Sequence, residues 1–234
     1  MNSKPTLPTF KIAALGDSIT SGCNAELLGD NLRYSWSTGN ADSGGLRSHL
    51  HRLRTAFTQL NVTAINVAVA GSQAAALAEQ VDLILSYQPD YVTLLMGAND
   101  LPKWMLGEYG VLLERYAADM GAAIKRLVAA NGRVMVQLVA IPNQARVLQI
   151  LQRSPIQSGS FFQHINRGYQ ERRSRMNAAL EHIANTTPGN VRFAGNVAFV
   201  QFSEEHLSPI DRYHPSIAGQ ALLADASWQM GFFP

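Results

Sequence analysis

The 234-residue chain contains a single cysteine, Cys23. An intramolecular disulfide is therefore excluded, as is a zinc site of the Cys-His type, and Cys23 reads as a packed or partly covered residue. Charged residues make up only 15% of the sequence and the formal net charge is +2. A balance this even creates no field that would draw in nucleic acid or an anionic membrane. No apolar run approaches the roughly 20 residues of a membrane-crossing helix, so no integral membrane segment is expected. Residues 1–9 are polar, carry two prolines and lack the apolar stretch of a signal peptide. This leaves two settings open: a cytoplasmic protein, or an exported one whose signal lies outside this sequence. There is no Gly-x-Gly-x-x-Gly after the first apolar run and no Gly-Lys-Ser/Thr loop, which disfavours a nucleotide-binding protein. The Gly-x-Ser-x-Gly elbow of the α/β-hydrolases is also missing.

What the chain does have is apolar bulk. Hydrophobic residues make up 47% of it, enough for one sizeable core. Short apolar runs alternate with longer helical patterns. Strands are expected at Phe10 to Leu15, Val62 to Val69, Tyr91 to Met96, Arg133 to Ala140 and Val191 to Ala194. Helices are expected at Ser43 to Leu60, Ser72 to Ser86, Glu108 to Ala130, Gly168 to Asn185 and Ser216 to Met230. Strand–helix alternation implies parallel strands with helices on both faces, and near-continuous apolar strands fit a sheet covered on both sides. The expectation is a three-layer α/β/α sandwich, flavodoxin-like, with about five parallel strands. It would form one domain over residues 10–234, preceded by an extension over 1–9. The stretch 31–42 reads as a long loop on the ligand-binding side, and 142–167 reads either as a helical excursion or as a substrate-side loop.

Polar clusters fall just after the strands. Gly16-Asp17-Ser18 follows the first, Gly71-Ser72 the second and Gly97-Ala98-Asn99-Asp100 the third, while Asp211-Arg212-Tyr213-His214 lies near the C-terminus. Ligands bind beyond the carboxyl ends of such strands, so these clusters are able to converge. A serine hydroxyl needs an adjacent base to act as a nucleophile. His214 has the best context of the six histidines, because Asp211 lies three residues before it and would share its face in a helical turn. The reading is Ser18 as nucleophile, His214 as base and Asp211 as the group that orients the imidazole. Asp17 is the rival acid, but on a tight turn it reads better as a brace for its own loop. An oxyanion would be met by the Ser18 backbone N–H at the turn after the strand, the Gly71 N–H and the Asn99 side-chain amide. Asp100 reads as a tie for the Asn99 loop. Trp36, Trp104 and Met105 either line an acyl pocket or cover the core. Arg172, Arg173 and Arg175 read as a solvated helix face. Glu204-Glu205-His206 is too small a cluster to argue for a metal, and no cofactor is implied.

Set in this order, the four blocks resemble the SGNH hydrolase superfamily, also called the GDSL esterase/lipase family. Its Ser, Gly, Asn and His positions match Ser18, Gly71, Asn99 and His214, with Asp211 as the acid. Gly-Asp-Ser alone is weakly specific; the ordered set from Leu15 to His214 is what carries the resemblance. The family's usual Leu after the serine is Ile19 here. The resemblance implies a carboxylic ester hydrolase that works through an acyl-enzyme on a small-molecule ester of short-chain acyl, lysophospholipid or acetyl-sugar type. Two alternatives remain at this point: an acyltransferase using the same site, and a non-catalytic small-molecule or carbohydrate-binding module on the same fold. Oligomeric state is not legible.

Overall fold

A computed structural model describes residues 7–41, 45–101, 109–143 and 160–234. Its sheet is built from β1 (Thr9–Gly16), β2 (Asn61–Asn66), β3 (Tyr91–Leu95), β4 (Met135–Val139) and β5 (Asn190–Ala194). The strands are all parallel, in the order β2-β1-β3-β4-β5. That is the flavodoxin-like order, with β1 and β3 adjacent at the point where the winding reverses. The helices are α1 (His49–Ala56), α2 (Leu77–Leu85), α3 (Tyr109–Ala130), α4 (Ser160–Thr186) and α5 (Ile217–Gln229).

Alternate residues of each strand sort the core into two layers. Ala13, Leu15, Val92, Leu94, Val136 and Leu138 face the apolar stripes of α2, α3 and α4, including Val81, Ile124 and Leu180. Ile12, Tyr91, Leu95, Val139 and Ala194 face the other way, toward Leu53 of α1 and Leu223 and Trp228 of α5. Every residue of β3 is buried. Burying a large aliphatic side chain stabilises by about 1.5–3 kcal/mol, and the two faces together fix the register of the sheet.

The α1–α5 layer contains a polar knot. The fully buried His49 is hydrogen-bonded through Nδ1 to Tyr91 Oη (2.8 Å) and through Nε2 to Ser227 Oγ (2.8 Å). Tyr91 in turn donates to Gln137, whose Nε2 donates to the Ser227 carbonyl. Burial, helped by the nearby Arg52 charge, pulls the His49 pKa from 6.5 down to about 3. The imidazole is thus a neutral structural tie between α1, the sheet and α5.

Three elements differ from the sequence expectation, the first being α4, which begins at Ser160 rather than Gly168 and so makes residues 160–167 helical. Helix α1 starts six residues later than Ser43, because Ser48 caps it by accepting from His51 N while donating to the Gly39 carbonyl. The stretch before α2 is a 3₁₀ turn over Ala74–Ala76. Arg173 is also not on a solvated face. It is 9% exposed, and its guanidinium donates to the carbonyls of Ile141 and Ala198 just beyond β4 and β5.

Candidate active site

The carboxyl edge of the sheet carries the polar loops. β1 ends at Gly16, whose φ is +151°, and a Cβ there would sit 2.3 Å from the Leu95 carbonyl oxygen. Only glycine lets β1 leave the sheet so close to β3. The chain then turns at once. Thr20 N and Ser21 N both donate to the Asp17 carbonyl (3.0 Å), and Cys23 N donates to the Ser18 carbonyl (2.9 Å). Among the described residues no α-helix lies between β1 and α1, so Ser18 lies in a run of hydrogen-bonded turns rather than at the start of a helix.

Asp17 is fully buried. Its Oδ1 accepts from Ile19 N (3.0 Å), while Oδ2 has no hydrogen-bond partner among the described residues. Desolvation raises its pKa to about 7, with the Asp100 charge adding to the rise and the amides of Ile19, Ala98 and Gly97 opposing it. The carboxyl braces its own turn and does not contact His214. A testable consequence concerns stability. The folded chain keeps this proton between pH 3.8 and 7 while the unfolded chain releases it, so the stability contributed by Asp17 falls as pH rises through that window. Asp17→Asn removes the effect. Chemical denaturation across this range should show the variant gaining on the wild type with rising pH, at up to about 1.4 kcal/mol per pH unit. A constant difference between the two proteins would refute the buried-proton assignment.

The next two loops are tied to each other. Gly71 adopts φ +81° and faces open space. Asn99 Nδ2 donates to the Ser72 carbonyl (2.9 Å), Gln73 Nε2 donates to the Asn99 carbonyl (2.7 Å), and Ala74 N donates to the Asp100 carboxylate (3.2 Å). One amide hydrogen of Asn99 is thus engaged and a second is left for another acceptor. Gly97, with φ +132°, lets this loop leave β3; a Cβ there would be 2.6 Å from Ile141 Cδ1.

Asp211 and His214 pair directly, with Nδ1 and Oδ2 2.6 Å apart. The expected helical turn is absent. Arg212 takes φ +58°, and Asp211 Oδ1 accepts from Tyr213 N (2.8 Å) and His214 N (3.0 Å). The aspartate therefore builds the turn that holds its own histidine. Partial burial pushes the Asp211 pKa up, but hydrogen bonds from Asn24, His214 and the two backbone amides outweigh it and hold the carboxylate well below its usual range. An ionised acceptor keeps the proton on Nδ1 and leaves Nε2 as a base.

The pair is keyed to the Ser18 turn through the start of α5. The buried Gln220 donates from Nε2 to the Ile19 carbonyl (2.9 Å) and accepts at Oε1 from Trp36 N (2.9 Å). Asn24 Nδ2 donates to Asp211 Oδ2 (2.6 Å), and Ser208 Oγ donates to the Asn24 carbonyl (2.5 Å). Tyr213 packs in the same apolar cluster as Ile19. Among the described residues, Ser18 Oγ and His214 Nε2 form no hydrogen bond with each other. Catalytic hydrogen bonds in unliganded sites are often long and tighten only when substrate binds.

Trp36 departs from the pocket-lining expectation. It is fully buried, and its Nε1 donates to Thr20 Oγ1 (3.3 Å), so it supports the Ser18 turn from beneath. Trp104 and Met105, and most of the 142–167 stretch, lie outside the described residues. Among those residues no group of three or more His, Cys, Asp or Glu side chains is placed to hold a metal, and no helix is long and apolar enough to cross a membrane. A cleft of about 550 Å³ lined by Lys11, Pro89, Asp90 and Asn131 opens at the amino edge of the sheet, away from these loops.

Solved structures share this fold. A lipase, Lip_vut3, from a goat rumen metagenome superposes with a TM-score of 0.67 at 16% identity, covering 96% of this chain and 98% of its own. The acetylxylan esterase Axe2 from Geobacillus stearothermophilus gives 0.54 at 20% identity, covering 98% of each chain. The esterase EstA from a Pseudoalteromonas species gives 0.53 at 18%, covering 94% of this chain and 95% of its own. No curated protein matches the sequence. The GDSL-like lipase/acylhydrolase family model matches residues 14–222. With its ordered loops at the carboxyl edge of a five-stranded parallel sheet, the chain belongs to that family and is a carboxylic ester hydrolase.

Proposed function

We propose that ester hydrolysis runs through an acyl-enzyme on Ser18, with His214 as base and Asp211 as its orienting acid. The observation that carries this reading is the 2.6 Å Asp211–His214 pair, tied by Asn24 and Gln220 to the turn that contains Ser18. Ser18 Oγ attacks the ester carbonyl as its proton passes to His214 Nε2. The backbone N–H groups of Ser18 and Gly71 and the uncommitted Asn99 amide hydrogen receive the developing oxyanion. The imidazolium then returns the proton to the departing alkoxide, leaving the acyl-enzyme. Water gives a proton to the same nitrogen as it attacks, and collapse releases the acid and restores Ser18.

The substrate class proposed is an ester of a short acyl group on a small alcohol or sugar. Support comes from a fold-mate described as an acetylxylan esterase. Another was solved inhibited by monoethylphosphonate, a mimic of the tetrahedral state. A fluorophosphonate ester should therefore inactivate the enzyme: a phosphorus–oxygen bond forms to Ser18 Oγ, fluoride departs and the serine proton passes to His214. Peptide mass analysis should find one adduct, on the peptide containing Ser18. Inactivation with the label elsewhere would remove Ser18 from the mechanism. In parallel, rates on p-nitrophenyl esters of increasing chain length, with an acetylated xylooligosaccharide included, should fall as the acyl chain grows. A rise toward long chains would overturn the substrate assignment.

A further inference from the structure

Asn24 lies six residues after Ser18, in a loop with no sequence motif, yet its side chain reaches across 187 positions to the acid of the site. Its Nδ2 donates to Asp211 Oδ2, the same oxygen that receives His214 Nδ1–H, and both contacts are 2.6 Å. Its Oδ1 accepts from Gly29 N (2.7 Å), and its own N–H donates to the Gly29 carbonyl (2.8 Å). Its carbonyl accepts from Ser208 Oγ (2.5 Å). Its φ is +55°, a conformation that asparagine tolerates better than most residues. The loop thus fixes the amide from both sides and points one hydrogen at the carboxylate.

We propose that Asn24 is a positioning residue of the site, holding Asp211 Oδ2 on the His214 Nδ1 axis. The proposal rests on the triad reading above. Asp211 Oδ1 is already committed to Tyr213 N and His214 N. Without Asn24, the inner oxygen would answer to the imidazole alone, and the carboxylate would be free to tilt as His214 gains and loses its proton. With Asn24 in place, the oxygen is held between two donors throughout the cycle. The hydrogen bond from Asn24 is also the largest of those that keep Asp211 ionised. Cys23, Asp30, Tyr213 and His214 are the other titratable groups around this contact.

Asn24→Asp is the informative substitution. It keeps the side-chain shape, the tolerance for positive φ and the acceptor for Gly29 N, and replaces only the donor facing Asp211. A carboxyl there would share one proton with Asp211 at lower pH and lose it as pH rises, so two like charges would then face each other. We expect kcat to fall roughly 10- to 100-fold with KM nearly unchanged, which is the size expected for a hydrogen bond to a charged group. The loss should deepen as pH rises, adding an alkaline limb that the wild type lacks. Asn24→Gly, which keeps the backbone conformation, should show the kcat loss without that limb. Melting temperatures of both variants report whether the loop itself has failed. An Asn24→Asp profile parallel to the wild type's, whatever its height, overturns the proposal. Activity within about tenfold of wild type in Ser18→Ala would overturn the triad itself, and this inference with it.

Discussion

Replacing Ser18 with alanine is expected to lower kcat for p-nitrophenyl acetate by on the order of 10⁴- to 10⁶-fold while leaving KM within a few-fold. The substitution removes the nucleophile and one oxygen atom from a residue that is 7% exposed. It leaves the turn intact, since that turn is held by the carbonyls of Asp17 and Ser18 rather than by the serine hydroxyl. Melting temperature should therefore scarcely change, and the inactive variant should still bind substrate. Some acceleration over water should remain, because the Ser18 and Gly71 amides and Asn99 would still polarise the carbonyl. The measurement is steady-state kinetics beside a fluorophosphonate labelling control. Activity within about tenfold of wild type, with an unchanged fold, would assign the reaction to a different nucleophile.

Much of this was legible in the sequence, for identifiable reasons. A strand covered on both faces has no polar alternation to blur it, so Tyr91–Leu95 reads as a strand from its apolar run alone. Three of the four polar clusters could be placed because each comes after a strand, and a parallel sheet gathers the carboxyl ends of its strands on one edge. Four features were not legible. The Asp211–His214 spacing suggested a helical turn, but the contact is made by an aspartate side chain capping its own turn around a residue at positive φ. An i,i+3 spacing does not distinguish the two. Trp36 sits in a loop near the site, and nothing local says whether its ring faces substrate or core; burial against Thr20 is decided by residues far away in sequence. Arg173 belongs to a basic run that looks solvated, yet the carbonyls it meets lie just beyond two different strands. Asn24 carries no local signal either, since its partner is distant and its neighbours form no known motif.

The second large effect is expected at Asp211. Asp211→Asn should lower kcat by roughly 10⁴-fold and change KM little. The physical cause is tautomeric rather than steric. Asparagine can still accept from Tyr213 N and His214 N through Oδ1, so the turn should survive. At the other position, however, an NH₂ group would meet His214 Nδ1 in place of a carboxylate oxygen. Nδ1 would then have to accept, which moves the ring proton to Nε2, where it blocks uptake of the Ser18 proton. Flipping the amide returns an acceptor to His214 and to Asn24 but turns the NH₂ onto the two backbone N–H donors of Tyr213 and His214, so it gives up the turn that holds the histidine. Because hydrogen bonds hold the wild-type carboxylate well below its usual range, Asp211 is ionised across the neutral range, and the deficit of the variant should not close as pH falls from 8 toward 6. The rival carboxyl makes a contrasting prediction. Asp17 is buried, pairs with Ile19 N and carries a proton up to about pH 7, so it is poorly suited to orient an imidazolium. If Asp211→Asn kept kcat within about tenfold of wild type and Asp17→Asn abolished it, the acid would have to be moved to Asp17. The geometry of His214 in this fold would then have to change when substrate binds.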